Sequence, residues 1–144
     1  VQAISQALNS QNPVIVYWGI IASRSLEKQN PRITAAIRPA LNSSSPSTCI
    51  AAAEALCAQG ECSEALSVLE KWVLDERPWV SLQAARSLVE IGPKAKPVLP
   101  AMYEAQKMLF AGEGGTRKYR DFEYASFTGW ALERAIINCG ENPL

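Results

Sequence analysis

The sequence predicts an all-α protein, an α-solenoid of about three to four helix pairs wound as a right-handed α-α superhelix. One helical pattern is present twice, as PSTCIAAAEALCAQG over residues 46–60 and as PWVSLQAARSLVEIG over residues 78–92. Each copy begins with a proline, which suits the first helical turn because its missing N–H is not needed there. Each copy ends with a glycine, which can close a helix in the left-handed conformation. Together with an equivalent proline at position 13, the pattern indicates a repeat protein.

Positions at the same distance after each of these three prolines carry residues of similar size and polarity. In the first helices, one column contains only small residues, Gly19, Ala52 and Ala84. Three columns of the second helices are apolar: Ile33, Leu66 and Val98; Ala36, Leu69 and Ala101; and Ala40, Val73 and Ala105. Matching columns in both helices of three units predict helix pairs that stack on one another.

The units follow one another as a single predicted domain over residues 1–144. We predict a half unit at 1–12, which is the second helix of a pair, full units at 13–45, 46–77 and 78–110, and a closing helix at 121–138. The helices of these units are predicted at 1–10, 13–28, 31–41, 46–59, 63–74, 78–91 and 94–110. The last helix is expected to close the apolar face of the stack, because a terminal repeat has no further neighbour. Since the first residue is Val1 rather than Met, we expect the chain to be part of a longer protein.

Local signals mark where these helices begin and end. Asn12 and Asn30 each precede a proline, and both are predicted to be N-caps. Gly60, Gly92 and Gly140 are predicted to end helices.

Two prolines affect the helix predicted from residue 94. Pro97 fits its first turn, whereas Pro100 is predicted to remove a backbone hydrogen bond and to tilt the start of the helix.

Composition excludes several classes of function. The chain has 14 basic and 14 acidic residues, so it has no global field that would attract nucleic acid. The longest apolar run, 14–22, is too short to span a bilayer, and no basic segment precedes an apolar run at the start. There is no histidine, which removes His-based acid–base catalysis, His-paired nucleophiles and nearly all catalytic zinc sites.

Three segments, NPVIVYWG at 12–19, IAAAEAL at 50–56 and PWVSLQAA at 78–85, resemble HEAT-like repeats. Their order is similar to the region that follows the catalytic domain in some bacterial sulfatases. There the first unit carries Tyr-Trp after the proline, the second an alanine-rich helix, the third a Pro-Trp-Val start, and the closing helix Trp-Ala-Leu, as at 130–132 here. The resemblance covers nearly the whole chain. HEAT-like units usually carry an arginine two places after the Pro-x-Val start of the first helix, whereas those positions here are Val16, Thr48 or Cys49, and Ser81.

The resemblance implies a catalytic activity only for a part of the protein outside this chain. Sulfatases of this type use a Cys or Ser in a C/S-x-P-x-R context, beside a calcium site rich in Asp and Asn. None of the four cysteines has that context, and Asp75 and Asp121 are the only aspartates. We therefore expect no catalytic residue, no cofactor and no metal in this chain, and a periplasmic or secreted protein if the sulfatase interpretation is right.

The four cysteines also permit a disulfide. Cys49 and Cys57 lie two helical turns apart on one helix, too far for a bond between them. A bridge between Cys57 and Cys62 is compatible with the spacing and would suit an oxidising compartment. We favour small buried thiols over this bridge.

The candidate partner contacts are aromatic and basic. Trp18, Trp72 and Trp130 lie on apolar helix faces and are predicted to be core. Trp79 differs, because it lies in a first turn next to Arg77, and both residue types are enriched at binding hot spots. Packing of Trp79 against a neighbouring domain and local capping of the repeat both remain open. The other candidates are Arg117, Lys118, Tyr119 and Arg120, in a loop for which solvation is the favoured interpretation. The preceding segment, 112–116, lacks the ending of a phosphate-binding loop.

Three functions remain open. The first is a non-catalytic accessory domain, bacterial in type, that packs on the catalytic domain of a parent sulfatase as a scaffold. The second is a free-standing module that binds another protein on the surface of its second helices. The third and weakest is a HEAT-like phycobilin lyase, which should show a ligand groove with polar catalytic groups. No nucleic-acid or membrane partner is expected.

Overall fold

The structure is a computed structural model that describes residues 2–26, 30–110 and 122–144. Its α-helices, in chain order, are α1 (Gln2–Leu8), α2 (Pro13–Ser23), α3 (Pro31–Ile37), α4 (Pro46–Ala58), α5 (Cys62–Val73), α6 (Pro78–Ile91), α7 (Leu99–Phe110) and α8 (Phe122–Asn138). Two 3-10 helices cover Arg38–Asn42 and Gly92–Val98. Over the residues described there is no strand, so the predicted class, an all-α chain of helix pairs, is confirmed.

The chain divides into two compact units, 1–68 and 69–144. In the first unit, α2 packs between α1 and α4, and α3 contacts both α1 and α4. In the second unit, α6 packs against α8, which also contacts α7 and the 3-10 helix before it. In unit 1, the first helices of successive repeats, α2 and α4, therefore lie side by side, as expected for stacked repeats. In unit 2, α8 lies beside α6. The prediction of a single domain stays a prediction.

The predicted helix starts are confirmed by their hydrogen bonds. The side chain of Asn12 accepts from the backbone N–H of Val14 at 2.9 Å. Asn30 accepts from the N–H groups of Arg32 and Ile33 at 3.1 and 3.4 Å. In each case the side-chain oxygen satisfies a donor that has no partner within the helix.

The helix ends follow the glycines that the sequence singled out. Gly60, Gly92 and Gly140 all have positive φ angles, of 90°, 65° and 81°. Side chains with a Cβ rarely adopt this conformation, so the glycines explain why α4, α6 and α8 end where they do.

Two predicted helices are shorter than expected because of proline. The helix predicted at 31–41 is α-helical only to Ile37, since Pro39 has no N–H to continue the ladder, and a 3-10 helix completes it. The helix predicted from residue 94 is a 3-10 helix as far as Val98, with Pro97 inside it. As a result α7 begins at Leu99, and Pro100 occupies its first turn, where the missing N–H does no harm.

The predicted columns form much of the core. The small column of the first helices is buried at all three places, including Gly19. Every member of the three apolar columns of the second helices is buried except Ala36, which is half-buried. The columns predicted from the repeat therefore do face the core.

One close contact shows why the first column is small. A Cβ atom added to Gly19 would lie 2.9 Å from the Cβ of Ala7 and 3.2 Å from the backbone nitrogen of Leu8. Contacts this short force neighbouring atoms to move. Glycine therefore permits α2 to approach α1 within a distance that no other residue allows.

Unit 1 also contains a disulfide between Cys57 and Cys62, whose Cα atoms are 4.2 Å apart. The preference for free thiols at these positions was wrong. The reason lies in the turn at Gly60, whose positive φ brings the start of α5 back to the end of α4. Cys49 and Cys139 are buried and lie outside this disulfide.

Candidate protein-interaction surface

The turn between α5 and α6, in unit 2, is fixed by an aspartate–arginine pair. The Arg77 guanidinium donates from Nε to Oδ1 of Asp75 at 2.8 Å and from Nη2 to Oδ2 at 2.9 Å. The backbone N–H of Arg77 also donates to Asp75 Oδ1, at 2.9 Å. A fork of two parallel bonds fixes the orientation of the guanidinium as well as its position.

A buried hydroxyl holds the two sides of this turn together. Ser81, in the first turns of α6, donates from Oγ to the backbone oxygen of Val73 at 2.8 Å. Val73 is the last residue of α5, so its carbonyl has no partner within that helix. The bond ties the end of α5 to the start of α6 and so positions the residues between them.

The pair keeps its charges over a wide pH range. The hydrogen bond from the Arg77 side chain holds the pKa of Asp75 below its usual value, and partial burial works in the opposite direction. The same hydrogen bond raises the pKa of Arg77. At neutral pH, therefore, the arrangement offers a fixed ion pair and no group ready to exchange a proton.

Trp72 lies next to this pair and is in contact with two cations. The Lys71 Nζ atom is 4.5 Å from the centre of a Trp72 ring, and the Arg77 Cζ atom is 5.8 Å from it. Both distances are within the range of a cation–π contact. Trp72 was predicted to be core, but it is only half-buried. The two cation–π contacts help to hold the ring in this half-buried position.

Trp79 lies at the surface, as the sequence suggested. Its side chain is 55% exposed, whereas the following residue, Val80, is buried against the core. The start of α6 thus places Trp79 and Arg77 close together along the chain on the outside of unit 2. The other predicted contacts, Arg117, Lys118, Tyr119 and Arg120, and the segment 112–116, lie outside the described residues.

Two tryptophans predicted to be core are in fact at the surface. Trp18 on α2 and Trp130 on α8 are each 62% exposed. On α2 the prediction failed because the helix has no charged residue to mark the face that meets solvent. On α8 it failed because the helix carries two apolar stripes, and only one of them is buried.

The two stripes of α8 have different residues. The buried stripe is made of Ala125, Thr128, Leu132, Ala135 and Ile136. The other stripe exposes Phe127 and Trp130, whose rings meet edge to face with centroids 5.5 Å apart. We expected this helix to close the apolar face of the stack. It packs against α6, but its own outer face again exposes large aromatic side chains.

Neither a metal-ligand cluster nor a membrane-spanning helix is found among the described residues. Among them, no group of three histidine, cysteine, aspartate or glutamate residues could hold a metal ion. No helix in the described ranges combines the length and the apolar character needed to cross a membrane. What the surface does offer is aromatic side chains beside a fixed guanidinium.

Comparison with known proteins identifies a family. The model for HEAT repeats matches residues 34–107, which include α4, α5 and α6. No curated protein and no solved structure matches the chain. The match spans just over half of the sequence and includes two of the repeated helices from which the repeat was inferred. It also agrees with the helix pairs described above. The chain therefore belongs to the HEAT repeat family.

Proposed function

We propose that the chain is a non-catalytic module that binds a protein partner through the surface at the start of α6, formed by Lys71, Trp72, Arg77 and Trp79. HEAT repeats commonly mediate protein interactions, and the family is generally non-enzymatic. The observation that carries the proposal is the exposed Trp79, two residues along the chain from a guanidinium that Asp75 already holds in place.

The energetics of binding favour such a surface. An exposed tryptophan can bury a large apolar area while losing little side-chain entropy. A guanidinium held by two hydrogen bonds has already lost much of its conformational freedom before the partner binds. The further loss of side-chain entropy on binding is therefore smaller. Both features make the start of α6 a better candidate than isolated apolar side chains elsewhere on the surface.

The proposal can be tested by photo-crosslinking. A photoreactive phenylalanine analogue is placed at position 79 of the protein in its native host, and the adducts are identified by mass spectrometry. We expect one discrete crosslink, either to a separate protein or to another domain of the same polypeptide, which is lost when Arg77→Ala is added to the same protein.

Position 18 supplies the matched control, because Trp18 is an equally accessible tryptophan on a different helix. The same analogue at position 18 should not capture the protein that position 79 captures. Equal capture at both positions, or no adduct at position 79, would show that the start of α6 is not the contact surface.

We propose more narrowly that this partner is the catalytic domain of a parent sulfatase, to which the chain is an accessory domain and a scaffold. The order of the segments with Tyr17, Trp79 and Trp130 supports this, because it is similar to the order in that group of sulfatases. The Cys57–Cys62 disulfide also supports it, since disulfides persist in periplasmic and secreted proteins. Neither a cofactor nor a phycobilin-lyase activity is proposed.

Arylsulfate hydrolysis tests the narrower proposal. The full-length parent protein, after formylglycine maturation, should hydrolyse an arylsulfate, and the 144-residue chain alone should not. A folded and matured parent without activity, or a parent without a C/S-x-P-x-R motif, would contradict the sulfatase interpretation. It would leave the interaction module in place.

A further inference from the structure

We propose that the outer face of α8 is a self-association surface, on which α8 of a second copy of this chain packs antiparallel. This goes beyond the proposed function, because it concerns a different helix and a different partner from the surface at the start of α6.

The outer face of α8 has the spacing of a helix-pairing stripe. Glu123, Phe127, Trp130, Arg134 and Ile137 follow one another in alternating steps of four and three residues. That spacing places side chains along one seam, as in coiled coils. Phe127 and Trp130 are 51% and 62% exposed, although they are the largest side chains of the seam.

This seam is not the one that α8 uses within its own unit. The face that packs toward α6 contains the buried residues Ala125, Leu132 and Ile136, and the seam lies on the opposite side of the helix. A second helix can therefore dock on the side of α8 that faces away from α6.

The positions of the charges favour a second copy in the antiparallel direction. A twofold axis at the level between Thr128 and Gly129 places Phe127 opposite Trp130 of the second copy. The same axis places Glu123 opposite Arg134 of the second copy, and the symmetry provides each pairing twice. A parallel pair would instead place each charge opposite its own kind, which is unfavourable.

Self-complementarity is what a twofold dimer requires, because both copies contribute the same patch. The seam meets that requirement, since its acidic and basic ends lie equally far from its aromatic centre. The contact is the length of one helix, which is at the low end of the area for stable interfaces. We therefore expect a dimer that dissociates in the micromolar range.

Sedimentation velocity of the 144-residue chain, at about 1 to about 200 µM, measures this association directly. The wild-type chain should change from monomer to dimer within that range. Trp130→Glu should remain a monomer, because it places a charge at the aromatic centre of the seam. Trp18→Glu is the control: it changes an equally exposed tryptophan on α2 and should leave the dimer intact.

Charge reversal tests the antiparallel register. Glu123→Arg and Arg134→Glu should each weaken dimerisation about tenfold or more, because each creates two like-charge contacts across the axis. Combining both changes in one chain should restore most of the wild-type affinity. Circular dichroism of every variant checks that the helices are retained.

Several results would overturn the proposal. A wild-type chain that is monomeric at every concentration would mean that the seam is left for a helix of a different protein. A dimer that tolerates Trp130→Glu would place the contact elsewhere, and a double charge reversal without rescue would rule out this register. None of these results bears on Trp79, so the proposed function would stand or fall separately.

Discussion

The Asp75–Arg77 pair shows how single residues prepare the surface of this protein. The carboxylate receives two bonds from the guanidinium and one from the backbone N–H of the same residue. An aspartate two residues before its arginine thus fixes both the turn and the orientation of the arginine side chain. The same guanidinium lies over the ring of Trp72, which adds an aromatic contact to the arrangement.

The pair predicts a specific dependence of stability on pH. Because the folded protein holds the pKa of Asp75 below the unfolded value near 3.8, the carboxylate stabilises the fold above that pH. The contribution is lost as pH falls through the lowered pKa. Asp75→Asn should therefore lower the melting temperature by a few degrees at neutral pH, and its difference from wild type should shrink as the pH falls below 3.8.

Thermal unfolding followed by circular dichroism over this pH range measures the difference. Glu70→Gln is the matched control, since it removes an exposed carboxylate from α5. A deficit of Asp75→Asn that is as large in acid as at neutral pH would show that the aspartate acts through its shape and not through its charge.

The tryptophans show why residue-level prediction was only partly successful. Trp79 was correctly placed outside, because a first turn next to an arginine lies at the edge of the helix. Trp18 and Trp130 were wrongly placed inside, because hydrophobicity alone cannot distinguish the buried stripe of a helix from an exposed one. In α8 the seam spacing from Phe127 to Ile137 was a signal that could have been used.

At the scale of helices, we predict opposite changes in stability when glycine is replaced by alanine at two different positions. Gly19→Ala should destabilise the protein by about 1 to 2 kcal/mol, because the new Cβ meets the Cβ of Ala7 at 2.9 Å and outweighs the gain in helix propensity. Gly129→Ala should stabilise it by about 0.5 to 1 kcal/mol, because its Cβ meets only Leu109, at an ordinary 3.8 Å.

Urea unfolding of the two variants gives both free energies under the same conditions. The opposite signs are the important result, since each variant serves as the control for the other. If Gly19→Ala were as stable as wild type or more so, the close approach of α1 and α2 would not be a constraint on the fold.

Helix boundaries were predictable where a residue determines the backbone by itself. Prolines gave the starts of α2, α3, α4 and α6, and glycines with positive φ gave the ends of α4, α6 and α8. The boundaries failed at Pro39 and Pro97, where a 3-10 helix accommodates the missing N–H. Apolar periodicity looks the same in both kinds of helix, so the sequence did not separate them.

At the scale of the whole molecule, the repeat was the predictable property and the partner was not. Columns spaced from the prolines indicated helix pairs, and the match to HEAT repeats confirms the family. The absence of histidine and the balanced charge disfavour His-based catalysis and nucleic-acid binding. The sequence pattern does not identify the partner, because recognition depends on which side chains reach the surface.

The central claim is that this protein binds a partner through Trp79 and its neighbours. The most direct test is a titration of the 144-residue chain with the protein captured at position 79, by isothermal calorimetry. Trp79→Ala should weaken binding about tenfold or more, while Trp18→Ala retains wild-type affinity. Equal affinity of the wild-type and Trp79→Ala chains, both shown to be folded, would contradict the claim.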